Sequence, residues 1–247
     1  MSVPESCTHV ICYHYYMYRG TSKSQDAVAF IRRWFFKLSE LRSLVRNNIP
    51  FMAVTVTATR KTKDTIISVL RLGKFVQVSQ SPNKSHIAFG VQTMIKQNSI
   101  IQYFDWIWDE LKEKRCLTDR TLIYCQTVKQ CSSLYSLFVQ ELGDAIFVDK
   151  HKDIRERFVE MLHALSSKSI KDVVLQEMRK EGGCIRVLIC TIAFGMGVNC
   201  KGVKRVIHFG PSKSVEAYIQ ESGRAGRDGQ PSTALLLYQS LMLLHVE

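Results

Sequence analysis

Three short stretches of this chain are apolar almost without interruption: TLIYC at 121–125, IRVLICT at 185–191 and VKRVIHF at 203–209. A strand with one wet face alternates polar and apolar residues, whereas a near-continuous run needs cover on both faces. Between these runs lie amphipathic stretches of helical period at 129–142, 169–179 and 214–222. Strands alternating with helices in this way specify a parallel sheet and the α/β class. The same reading places further strands at 51–58, 75–79, 145–148, 159–164 and 234–238, and further helices at 60–72 and 100–114.

The string QSPNKS at 80–85 gathers Pro, Ser and Asn between two periodic regions and reads as a linker. It divides the chain into 1–85 and 86–247. The first part has two strands and two helices, too few for an independent α/β sheet. The second is long enough for a complete unit, and 247 residues suffice for one large or two small domains. The run of aromatic residues Tyr13, Tyr15, Tyr16 and Tyr18 fits a strand or an exposed cluster, with base stacking as the alternative.

Charge narrows the class of partner. Lys and Arg number 34 against 22 Asp and Glu, a net charge of +12. That excess favours a polyanion partner, of which nucleic acid is the usual one. A merely soluble basic protein is the alternative on charge alone. The eight cysteines form no C-x-x-C pair, and Cys125 and Cys190 lie inside apolar runs as small core residues. Structural zinc is not expected. The start MSVPESCTHV lacks the features of a secretory leader, and no run approaches a membrane span, so an intracellular, reducing setting and no membrane partner are expected.

The densest chemistry lies at 220–229, QESGRAGRDG. Arg224 and Arg227 are three apart and share one side of a turn. Gly223, Gly226 and Gly229 keep the surroundings uncrowded, so a backbone or phosphate can come close. Guanidinium groups match phosphate with paired donors. A bare pair of arginines is better explained by an Arg-rich turn making salt bridges, but the full ten-residue string is not.

That string resembles motif six of RecQ-type ATP-dependent DNA helicases of superfamily two. The resemblance implies that Arg227 is an arginine finger on ATP, with Arg224 as a supporting phosphate or carboxylate contact and Gln220 coupling the site to a domain interface. Such a finger contributes on the order of a thousandfold in phosphoryl transfer. CTIAFGMGVN at 190–199 is similar to motif five, which implies a DNA-backbone contact for Thr191 and a place near the nucleotide for Gly197 and Asn199. TLIYCQT at 121–127 resembles motif four and implies DNA contacts for Gln126 and Thr127, although a strand followed by a helix N-cap explains both as well. FMAVTVTAT at 51–59 resembles motif three of the first motor domain, which couples ATP state to DNA through Thr57 and Thr59. His208, inside an apolar run, reads as a packed core histidine.

Expected, then, is a parallel-sheet RecA-like helicase C-terminal domain (86–247) preceded by a remnant of the first RecA-like domain (1–85). Implied with it are 3′-to-5′ unwinding of DNA, single-stranded or partly duplex, ATP and Mg²⁺ as cofactors, a place in DNA repair and recombination, and the nucleus if the source is eukaryotic. The chain also departs from the family. No G-x-x-x-x-G-K-[ST] loop and no DEAH-like quartet occur, so the nucleotide site is incomplete here. Trp34, Phe35 and Phe36 fit either a remnant of the family's aromatic-rich loop or core packing, and Met161, Leu162, His163 and Ala164 stand where Tyr-His-Ala-Gly is usual. The expectation is a chain that is not catalytic alone, completed by a first motor domain or a P-loop subunit. A non-catalytic nucleic-acid-binding module is the alternative.

Overall fold

The computed structural model describes residues 10–12, 40, 52–54, 60–79, 81, 83–95, 99–149, 151, 153, 156–191 and 200–239. The backbone forms two compact units, Met1–Asn83 and Lys84–Glu247. In the first, strand β1 (Val10–Cys12) pairs in parallel with β2 (Met52–Val54), and helix α1 (Arg60–Val69) follows. Ile66 and Leu70, one turn apart, are buried, with Ala53 and Leu72 packed against them. The expected strand at 75–79 does not form. Val76 is 90% and Val78 88% exposed. An alternating run becomes a strand only where a ladder and a covering face await it.

The second unit runs β3 (Ile87–Thr93), α2 (Asp105–Lys114), β4 (Arg120–Cys125), α3 (Val128–Leu142), β5 (Val159–Leu162), α4 (Lys168–Arg179), β6 (Val187–Thr191), β7 (Val203–Phe209), α5 (Val215–Ser222) and β8 (Ser232–Tyr238). Its six strands form one parallel sheet in the order β3-β8-β7-β4-β6-β5. β4 is the midline and every one of its residues is buried. Its side chains alternate with period two. Ile123 and Cys125 pack with Ile107 and Leu111 of α2 and Leu134 and Phe138 of α3. Leu122 and Tyr124 pack with Val174 and Met178 of α4. Both faces are therefore covered, as the near-continuous apolar runs require. Thr127, Ser167 and Ser214 begin α3, α4 and α5 as N-caps, their hydroxyls accepting from the N–H groups of Gln130, Ile170 and Ala217.

Two elements differ from the sequence expectation. Residues 145–148 make no strand: Gly143–Ile146 is a 3₁₀ turn, and only Phe147 bridges to Arg157. The Arg115 guanidinium takes the carbonyls of Ala145 and Phe147, both at 2.7 Å, so acceptors that a ladder would use are satisfied by a side chain. Conversely β3 carries no expectation, yet it pairs with β8 along its whole length. It is an edge strand with most of its residues exposed, so its apolar pattern is weak.

One buried cation ties the amino end of the sheet. Arg120, 2% exposed, opens β4. Its Nε donates to the Ile185 carbonyl (3.1 Å), Nη2 to Gly183 (2.9 Å), and Nη1 to both Lys180 (3.0 Å) and Lys201 (2.7 Å). Those carbonyls belong to the segments that lead into β6 and β7. Arg120→Met takes the Arg120 donors from the Ile185 and Lys201 carbonyls and should cost about 3 kcal/mol or more, lowering the unfolding midpoint by about 10 °C in a thermal melt.

On β7, Arg205 forks onto Glu110 of α2 and reaches Asp119 at 2.9 Å, with its guanidinium 5.1 Å from the Trp106 ring. Burial alone would raise the Glu110 pKa, but the bonds and charge of Arg205 and then Lys114 hold it below 4.5. A depressed carboxyl pKa contributes stability that is complete above the unfolded value and is lost as pH falls through the folded one. Glu110→Gln should therefore flatten the fall of melting temperature with pH below about 4.5, while leaving the slope near neutrality unchanged.

Candidate functional site

The carboxyl edge of the sheet gathers one set of the expected residues. β4 delivers Gln126 and Thr127, and Thr191 closes β6 beside Cys125 in the register. The chain leaves β6 on one side of β4 and re-enters as β7 on the other. In open α/β sheets this is where ligands bind. Gly210 follows β7 with φ +99°, and a Cβ there would stand 2.6 Å from Gln126 Cδ. The glycine lets the Gln126 side chain lie across the strand end, where Nε2 donates to the Pro211 carbonyl at 3.1 Å. Gln130 Nε2 donates to the Phe209 carbonyl at 3.0 Å, and its Oε1 accepts from Gln126 N at 2.8 Å. Thr127 is the α3 N-cap, a use that needs no ligand. Thr191 is 8% exposed.

The arginine loop lies at the opposite edge. α5 carries the chain back from the carboxyl side, and a buried polar cluster fixes it. Glu221 Oε2 accepts from Ser212 Oγ at 2.6 Å and lies 3.0 Å from His208 Nε2. His208, 1% exposed, stacks on Tyr124 with ring centroids 5.3 Å apart and tilts against Tyr218 at 4.8 Å. It is a core histidine, but a bonded one.

Beyond α5 the backbone turns through Gly223, whose N–H donates to the Ile219 carbonyl, and Gly226, whose N–H donates to the Val203 carbonyl at 2.9 Å. Val203 is the first residue of β7. Seven residues at about 3.3 Å each separate this end from the carboxyl edge by roughly 20 Å. Gly226 has φ +58°, and a Cβ on it would come within 2.7 Å of His86 Cδ2 and 2.8 Å of the Gln230 carbonyl oxygen. Only glycine fits such a position without strain.

His86 Nε2 bonds the Gly226 carbonyl and Lys84 Nζ donates to the Gly223 carbonyl, each at 2.8 Å. Arg224 is buried and Arg227 exposed. Partial burial, then the charge of Arg224, depresses the Arg227 pKa. Burial raises the thiol pKa of Cys200, against the pull of Arg224 and Arg227 beside it.

The expected residues thus fall into two groups. Gln220 (half-buried on the last turn of α5), Arg224 and Arg227 are together, and Gln126, Thr127 and Thr191 are together at the other end. Thr57, Thr59, Gly197 and Asn199 lie outside the described residues. Sequence reasoning missed Lys84, which sits in the stretch that reads as linker, and His86 just after it; their partners are about 140 residues away. It also missed Glu221 and Ser212 as partners of His208. The polar positions flanking an apolar strand were the only signal.

A six-stranded parallel sheet covered by helices on both faces is an architecture this chain shares with known proteins. The family model described as helicase conserved C-terminal domain matches residues 102–229, a little over half of the chain, and the chain belongs to that family. It is of the RecQ type. It is 31% identical over 194 residues to ATP-dependent DNA helicase Q-like 2 of Arabidopsis thaliana, covering 78% of this chain and 25% of that protein. It is 31% identical over 202 residues to RecQ-like DNA helicase BLM of Xenopus laevis, covering 82% and 13%. To the probable ATP-dependent DNA helicase RecS of Bacillus subtilis it is 30% identical, covering 82% and 36%. The chain spans from 13% to 36% of the length of these three relatives.

Among solved structures, the DEAD-box helicase Mss116 bound to ssRNA and UDP-BeF superposes with a TM-score of 0.65 at 19% identity, over 85% of this chain and 40% of that one. Mycobacterium smegmatis helicase Lhr bound to ssDNA and AMP-PNP gives 0.62 at 16%, over 85% and 27%. These likenesses establish the fold, a RecA-like parallel α/β sheet.

Glu221→Ala removes the shared acceptor of Ser212 and His208. It should cost about 2 kcal/mol or more, read as a drop of roughly 5 °C in melting temperature.

Proposed function

We propose that this chain supplies the arginine-finger half of a RecQ-type 3′-to-5′ DNA helicase motor. The observation that carries the reading is the division of the expected residues between the two edges of one rigid sheet. Arg224 and Arg227 stand on a glycine loop at the amino edge, and Gln126, Thr127 and Thr191 stand at the carboxyl edge. A motor needs this layout, because phosphate chemistry and DNA contact must be separate yet rigidly connected.

The cationic loop fits the phosphates of ATP. ATP, when bound, supplies a terminal phosphoryl group whose transfer gathers negative charge. Arg227, exposed and with its backbone pinned through Gly226, is the residue to meet that charge, and Arg224 holds a phosphate oxygen or a carboxylate beside it. Among the described residues no group of three His, Cys, Asp or Glu is placed to hold a metal ion, so Mg²⁺ would be held by residues other than these. The P-loop and acidic residues, absent from the 247-residue sequence, would come from a first motor domain or a separate subunit. Residues 1–85 we read as a remnant of that first domain, with Thr57 and Thr59 as its coupling residues and Gly197 and Asn199 near the nucleotide. Single-stranded or partly duplex DNA is the partner, in repair and recombination, in the nucleus of a eukaryote. Among the described residues no helix is long and apolar enough to cross a membrane.

The net charge of +12 favours one further reading, a nucleic-acid-binding module without catalysis. Purified 1–247 should bind single-stranded DNA with an affinity that falls steeply with salt, and should release no phosphate from ATP. Added to a P-loop domain from a related helicase, it should stimulate turnover, and Arg227→Ala should reduce that stimulation by about a thousandfold. ATP hydrolysis by 1–247 alone, abolished by the same substitution, would sink the half-motor reading. Salt-dependent DNA binding with no stimulation of any P-loop partner would favour the module.

A further inference from the structure

The arginine loop is held by a side chain that no motif of the sequence contains. Lys84 is half-buried and donates one N–H to the Gly223 carbonyl at 2.8 Å. An ammonium has three donors, so two remain. Burial, then the charge of Arg227, depresses its pKa, and no carboxylate among the described residues pairs with it. Three cations, Lys84, Arg224 and Arg227, surround one glycine turn: the charge of Arg227 acts on Lys84, and that of Arg224 on Arg227. The turn cannot retreat from them. Gly226 is bonded to Val203 on one side and to His86 on the other, and His86 in turn accepts from Ser232 N through its carbonyl at 2.9 Å. An anion beside the turn would meet the two remaining donors of Lys84.

We propose that Lys84 is a third phosphate-contacting residue of the arginine loop, its ammonium meeting a nucleotide polyphosphate beside Arg227. This rests on reading the loop as a phosphate site. It adds a binding residue from the segment that opens the second unit, so the start of this unit and its arginine loop close on the same anion.

The test uses inorganic tripolyphosphate and the whole 247-residue chain, titrated calorimetrically at low ionic strength. The variants are Lys84→Met, Lys84→Gln, Lys84→Arg, Arg227→Ala and, as a charge control on α2, Lys112→Met. Gln can still donate to the Gly223 carbonyl, so it separates the charge of Lys84 from its role as a strut. Both neutral variants and Arg227→Ala should weaken binding at least about tenfold relative to Lys112→Met, and Lys84→Arg should restore most of it. Melting temperatures without phosphate should stay within a few degrees for Lys84→Gln.

If Arg227→Ala weakens binding but Lys84→Gln matches the control, Lys84 is only a strut: the proposal falls and the phosphate-site reading stands. If no variant differs from the control, tripolyphosphate binds elsewhere on the basic surface and both fall.

Discussion

Everything at the amino edge of the sheet depends on one buried guanidinium. Arg120 reaches four backbone carbonyls in the segments that lead into β6 and β7. A charge so deep is tolerated because its donors are well supplied with carbonyl acceptors. Desolvation depresses the Arg120 pKa, and Arg186 adds to that. The arginine loop hangs from Val203, two residues beyond the Lys201 carbonyl that Arg120 holds. The position of the arginine loop is thus inherited from a buried residue at the opening of β4.

Rigidity at the other edge has a different origin. Gln126, Gln130 and Thr127 form a closed set of side-chain bonds around the ends of β4 and β7. The polar groups there satisfy the strand ends first. The result is a framework of amides and hydroxyls already fixed in place. The connection between the edges is β7 with α5 packed on it, and the Ser212–Glu221–His208 cluster joins the two across the sheet face.

Much of this was legible in the sequence, for a physical reason. Runs such as 121–125 and 203–209 have little choice of environment, and both became central strands. Ser214 and Thr127 stand where an amphipathic stretch begins, and both became caps. The arginine string was legible because its chemistry is local. What failed was whatever depended on distant partners. Residues 75–79 have the pattern of a strand but no ladder to join. Residues 145–148 have apolar character, but Arg115 consumes their carbonyls. β3 has a weak pattern and forms because β8 is there. Lys84 and His86 belong to the same class, since local spacing gives no hint of a partner 139 or 140 residues on.

The pairing of β3 with β8 also shapes how the molecule comes into being. Ile87 lies opposite Ser232 in the register. The first strand of the unit has no neighbour until the last one emerges from the ribosome. Helices α2 to α4 and strands β4 to β7 can assemble beforehand, since their contacts are shorter in sequence, whereas the β3 edge waits. Closure of so long a loop is an entropic toll that only late, cooperative zipping recovers, which marks this as a slow-folding topology of high contact order. The arginine loop, lodged between α5 and β8 and held by Lys84 and His86, takes shape in that same final step. The loop geometry therefore arrives with completion of the sheet, and a nascent chain carries Arg224 and Arg227 without the backbone contacts that place them.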